Sequence, residues 1–315
     1  MDMVVAIILK TVLMFAFMLV GFLLYKSGKI TEEGSRSMAN LLVYIVMPAI
    51  VIKSFCTERT AESALNLLFA TLLGLGAIVL SGVISHILLK KNPIDDFAST
   101  FCNSAFFGIP LIQATLGDSG IFFIAPMIAF TSLGQWTYGV KLITEQKLKD
   151  VLNPKKLLLS PFVIAIFIGL ILFFGGLGNI LATSENLIAK TAFDVLSGMS
   201  AVNTPLAMIV IGVYLAQTDT KSMFASKSVY IVCLVRLVVI PLLTLAAFTI
   251  LPQSMYSLKL AVFISSVAPV GANVAVYAQL HDKDYPYAVQ TVTMSTIFSV
   301  LTMPLIIMLA NFLWA

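Results

Sequence analysis

The chain has 315 residues, of which 59% are hydrophobic and only 11% charged. A soluble domain carries about 25% charged residues, so too few polar side chains exist here to cover a water-facing surface, and the bilayer is the better solvent. The net charge of +4 does not mark a nucleic-acid binder, because the basic residues fall in short connections between apolar runs.

Windows of about 20 apolar residues lie near 3–25, 37–56, 64–89, 97–116, 120–142, 158–178, 187–217, 228–251, 256–280 and 287–314. The first, Met3 to Tyr25, exceeds a signal-peptide core and follows no basic segment, so it reads as a retained span. Cys56, Cys102 and Cys233 are isolated within apolar runs and read as small fillers rather than a disulfide framework. Most of the 19 Lys and Arg fall in the odd-numbered connections, among them Lys26, Lys29, Lys90, Lys91, Lys147, Lys149, Lys155, Lys156 and Lys221. Basic connections stay in the cytoplasm, which predicts ten spans with both termini outside a cytoplasmic (inner or plasma) membrane.

Two pairs of helix breakers recur at nearly the same shift. Pro48 in VMPAI and Pro205 in NTPLA lie 157 residues apart; Pro110 in NSAFFGIPL and Pro269 in APVGAN lie 159 apart. Each half, 1–157 and 158–315, would hold five spans, an odd number, so the second must be inverted relative to the first. The predicted fold is an all-α membrane protein with ten transmembrane helices as a 5+5 inverted repeat. Its broken spans 4 and 9 cross near the midplane.

A break in hydrocarbon exposes unpaired N–H and C=O groups at several kcal/mol each, tolerated only beside protein or a water-filled cavity. Pro110 suits the first turn of a restarted helix, and Gly108 lets the chain turn. The free N–H groups near Leu111 to Gln113, and those of Ala272 and Asn273, would then point into the cavity. Converging half-helix N-termini favour an anion, above all a carboxylate, while the opposing carbonyl ends suit a cation or a proton-linked water. The expected substrate site is Asn103, Gly108, Ile109, Pro110, Gln113, Pro269, Gly271 and Asn273, with Asn103 and Asn273 orienting the substrate.

Arg236, about nine residues into span 8, could attract the anion, hold a half-helix carbonyl end, or pair with Asp194. Asp194 lies four residues after Lys190, so it reads as an ordinary helix pair or as a carboxylate for proton coupling. Asn203 could line the cavity or cap the restarted span 7. Thr131, Ser132, Gln135 and Tyr138 form a polar stripe that could flank the cavity or join helices. His281 to Asp284 (HDKD) reads as a solvated turn rather than a metal site. No catalytic triad, HExxH, CxxC pair or P-loop occurs, so neither an enzyme nor an ATP-driven pump is expected, and no cofactor or metal. Coupling to protons or sodium stays open.

NSAFFGIPL (103–111) resembles the Asn-x-Gly-Phe-x-Gly-x-Pro-Leu signature of the auxin efflux carrier family, with Ala105 where Gly is usual. TPLAMIVIGVYLA (204–216) and APVGANVAVYA (268–278) resemble two further segments of that family. The resemblance implies a secondary transporter of small organic anions: auxin-like acids in plants, malate or malonate in some bacterial relatives. It implies elevator-type movement, with spans 1, 2, 6 and 7 as scaffold and homodimer surface and spans 3–5 and 8–10 as the moving bundle. Asn103, Gly108, Pro110, Pro269 and Gly271 would frame the site. Only 143–157 stands where many plant members carry a long cytoplasmic loop. Two rivals remain: a sodium-coupled symporter of the bile-acid type, and a membrane-embedded anion sensor that does not transport.

Overall fold

A chain this apolar has one economical way to satisfy its backbone in lipid, and the described residues take it: they are helical apart from turns and one isolated bridge. The computed structural model describes residues 3–144, 159–217 and 224–314. Lys147, Lys149, Lys155, Lys156, Lys221 and the repeat boundary at 157/158 lie outside the described residues. In chain order the helices are α1 (Met3–Lys26), α2 (Glu32–Ser54), α3 (Ala61–Leu89), α4 (Pro93–Thr100), α5 (Ser104–Gln113), α6 (Thr115–Thr144), α7 (Pro161–Phe174) and α8 (Leu177–Thr183). They continue with α9 (Leu187–Ala201), α10 (Asn203–Gln217), α11 (Lys227–Thr249), α12 (Tyr256–Ser266), α13 (Asn273–Leu280) and α14 (Tyr285–Trp314). Among the described residues six stretches are long and apolar enough to cross a membrane: α2, α3, α6, α9 with α10, α11 and α14. The pair α7 and α8, bent by 85°, makes a seventh if counted as one span.

Packing is arranged for lipid rather than water. Along the middle of α3 the buried residues are small, Ala70, Gly74, Ala77 and Ser81, with Leu67 and Ile84 buried at either side, whereas Leu65, Leu68, Leu72, Val79 and Val83 point outward, each at least half exposed. Small inward residues let backbones approach where no hydrophobic gain drives helices together. The closest approach joins α1 to α10. A Cβ on Gly21 would overlap the Ile209 carbonyl oxygen, and one on Gly212 would overlap the Met18 carbonyl oxygen.

Local signals set the helix ends. Thr60 and Ser63 form a capping box at the start of α3, Asn92 caps α4 ahead of Pro93, and Asn186 caps α9. Gly117, at φ 68° and ψ −158°, separates α5 from the body of α6, a conformation that only glycine adopts without strain. The helices pack as two sets that also touch each other, with α1 and α2 against the segment Ile109–Gly134 and α1 against α14. α1 packs on α10, and α2 on α7 and α9; α3 packs on α4, α6 and α12, and α14 on α11 and α13. Gly212→Val is expected to destabilise the protein by about 1–3 kcal/mol, read as a lower melting temperature in detergent. Gly198→Ala, where a Cβ meets open space, serves as control. Equal melting of the two variants would refute the α1–α10 contact.

Candidate functional site

Where a helix stops inside a membrane, its last carbonyls and the next helix's first N–H groups lose their partners. Two such stops meet in this fold. α4 ends at Thr100 and α5 begins at Ser104; α12 ends at Ser266 and α13 begins at Asn273. The extended segments between them pair, with Cys102 opposite Val270 in a single antiparallel bridge. Asn103 N–H donates to the Pro269 carbonyl at 2.7 Å, and Gly271 N–H donates to the Phe101 carbonyl at 3.0 Å. Val270 N–H donates to the Ser295 hydroxyl of α14 at 3.1 Å. Gly271 eases a close approach: a Cβ there would lie 3.2 Å from both the Phe101 and Cys102 carbonyl oxygens, a tight contact that would press on the bridge.

The carbonyl ends converge on Arg236. This side chain is fully buried within a π-helical turn of α11, Val235–Val239. Its Nε donates to the Ala268 carbonyl at 3.0 Å, Nη1 to the Ser99 carbonyl at 3.1 Å, and Nη2 to the Ser266 carbonyl. Among the described residues no carboxylate forms an ion pair with it. These bonds make Arg236 a holder of carbonyl ends on both broken helices at once.

The N–H ends face a cavity of about 710 Å³. Asn103 caps α5, its Oδ1 accepting from Phe106 N–H at 3.2 Å. The N–H groups of Ser104, Ala105, Ala272 and Asn273 have no acceptor among the described residues. Asn103, Ser104, Ala105, Gly271, Ala272 and Asn273 line the cavity from the two breaks, and Thr131, Ser132 and Gln135 line it from α6. Asn273 Nδ2 donates to Gln135 Oε1 at 2.6 Å. Tyr44, Phe106, Trp136, Phe162 and Tyr277 supply aromatic walls, and no described lining residue is charged. The cavity runs from the crossover toward the end of α13 and the start of α7, reaching Leu280 and Leu159.

The other expected residues fall elsewhere. The break lies at Phe101–Asn103, not at Gly108-Ile109-Pro110. Gly108 is helical (φ −66°, ψ −49°), and Gly108, Ile109 and Pro110 are buried within the restarted helix. A π-helical turn, Ser104–Gly108, carries the chain from the true break to Pro110. Leu111 to Gln113 therefore lie beyond the first turns of α5, where N–H groups are no longer orphaned. Gln113 is off the cavity, its Oε1 accepting from the Thr204 hydroxyl at 3.5 Å. Pro110 and Pro269 occupy different settings: Pro110 lies inside the restarted helix, whereas Pro269 lies in the extended segment between α12 and α13. Asn203 is fully buried at the start of α10, with neither side-chain polar atom partnered among the described residues. Asp194 is exposed on α9, away from the cavity, and no ion pair joins it to Lys190 within 4.0 Å. Tyr138 leaves the polar stripe, its hydroxyl 3.5 Å from His86 Nδ1.

Sequence reasoning missed the acids that fix α4. Asp95 and Asp96 are both buried. Asp95 accepts from the Tyr287 hydroxyl at 2.6 Å and the Ser228 hydroxyl at 2.9 Å, while Asp96 meets His86 Nδ1 at 2.8 Å. The signal was present in NPIDD, a cap, a proline and two first-turn acids at a helix N-terminus. Gly271→Val is expected to open the crossover. Peptides covering 101–108 and 267–275 should then exchange deuterium faster than in the wild type; unchanged exchange would contradict the pairing.

The family model described as a membrane transport protein matches residues 6–153 and 148–307, nearly the whole chain. A search of curated proteins gives no match. Helices that present apolar faces outward and the motifs at 103–111, 204–216 and 268–278 agree with that match. The chain therefore belongs to the membrane transport protein family, the auxin efflux carrier family, and is an integral membrane protein of a transporter rather than an enzyme family.

Proposed function

We propose that this protein is a secondary transporter of a small organic anion, built as ten spans in two inverted five-helix repeats. The carboxylate docks at the unpaired N–H groups of Ser104, Ala105, Ala272 and Asn273, oriented by Asn103 and Asn273. Its apolar body rests on the aromatic walls. The observation that carries this reading is the meeting of two half-helix N-termini, with free donors, at a cavity whose described lining has no charge. Main-chain donors and helix ends recognise an anion without a side-chain cation.

The protein sits in the cytoplasmic membrane with both termini outside, so the cavity faces the cytoplasm. Transport is of the elevator type. α1, α2 and α7 to α10 form a scaffold that also serves as the homodimer surface, and α3 to α6 with α11 to α14 move against it. The division of packing partners between the two groups supports this assignment. Across the seam, Lys53 of α2 pairs with Asp118 of α6 at 2.8 Å, beyond the crossover from the cavity.

Uptake of labelled malonate, malate and indole-3-acetate into proteoliposomes tests the reading. At least one acid should accumulate, and Asn103→Ala should slow it about ten-fold, the cost of one charge-assisted hydrogen bond. Binding without flux would favour the sensor instead, and stabilisation by neutral solutes alone would remove the anion. Movement is tested by Lys53→Cys with Asp118→Cys, bridged by a short bismaleimide; the three native cysteines are buried. The bridge should abolish flux while leaving ligand binding from the cavity side intact. Undiminished flux in the bridged protein would exclude sliding along this seam.

A further inference from the structure

The crossover gathers helix ends of both signs. α5 and α13 present N-termini and α4 and α12 present C-termini, each equivalent to about half an elementary charge. Left to themselves the four ends nearly cancel, and a cavity built only from them would have little preference for an anion. Arg236 removes that balance. Its guanidinium spans the carbonyls of Ser99, Ser266 and Ala268 with three donors, is fully buried, and lines no part of the cavity.

Resting on the anion-transport reading above, we propose that Arg236 is the specificity-determining residue that makes the crossover prefer anions, acting through its field rather than by contact. One positive charge offsets the two C-terminal ends and leaves the two N-terminal ends uncompensated. Arginine suits the task because its planar fork reaches several acceptors at once and stays protonated at every working pH. Only two residues, Pro269 and Val270, separate Ala268 from Gly271, which lines the cavity, so the charge acts across a short, water-poor path.

Matched ligands that differ only in charge test this. Affinities of the detergent-purified protein are measured for indole-3-acetate against indole-3-acetamide, and for malonate against malondiamide. The wild type should favour the acid. Arg236→Gln should lower the acid-to-amide affinity ratio roughly ten-fold, the size of a charge–charge term at such range, with amide binding largely kept. A merely structural role would weaken acid and amide together, and that result overturns the proposal, as does an unchanged ratio. Should Arg236→Gln fail to fold, Arg236→Lys decides: it keeps the charge with fewer donors, so a preserved ratio supports the field and a collapsed one refutes it. Should the wild type favour neither acid, the anion reading falls, and a ligand-free probe judges Arg236 alone. Asn273→Cys, exposed in the cavity, in a background without other cysteines, should react faster with an anionic than a cationic methanethiosulfonate. Removing the Arg236 charge should reverse that order; an unchanged order sinks the inference.

Discussion

Arg236 and the short bridge between Cys102 and Val270 solve one problem, the unpaired main chain of two helices that stop in the middle of the fold. Each unpaired polar group in hydrocarbon costs several kcal/mol, so two stops far apart would each need their own repair. Placed side by side they repair each other: Asn103 and Gly271 donate across the bridge, and a single guanidinium takes the carbonyls of both ends. The N–H groups of Ser104, Ala105, Ala272 and Asn273 are left over, and they face the cavity. The rest of the bundle serves that arrangement. Asp95 and Asp96 tie the far end of α4 to α3, α11 and α14, so this eight-residue helix is held at both ends.

Much of this was legible in the sequence because lipid removes alternatives. Apolar windows marked the helices, since a spanning chain must pair its backbone within each segment. Asn103, Gly271 and Asn273, singled out from the sequence, all line the cavity, because Gly and Asn have few uses inside a long apolar run other than at a break. The position of the first break was not legible. Proline is tolerated early in a helix, so Pro110 signals a nearby start without fixing it, and the π-helical turn Ser104–Gly108 hides the offset. The role of Arg236 could not be chosen either, because its acceptors are carbonyls, which every residue carries. Asp194 and Asn203 were singled out as polar groups in apolar segments, a signal blind to which face of a helix they occupy.

The middle of α3 reverses the usual relation between size and burial. Large aliphatic side chains there point outward and small ones inward, and α1 meets α10 glycine to backbone. In water this would be an aggregation surface; in a membrane it is the ordinary consequence of a solvent as apolar as leucine. The same economy shapes the cavity, where aromatic walls come from α2, α5, α6, α7 and α13, and polar side chains, apart from the tyrosine hydroxyls and indole of those walls and Ser160 at the start of α7, are confined to the breaks and one face of α6.

That confinement bears on how such proteins diversify. An amide hydrogen belongs to the main chain and survives every substitution except proline. Tyr44, Trp136 and Tyr277 contact the cavity through their side chains, which substitution alters. On the anion reading proposed above, a lineage can remodel the shape of its cargo by point mutation at the rim while the main-chain donors are inherited untouched. Kinship within the group would then forecast the acidic head of a ligand far better than its tail.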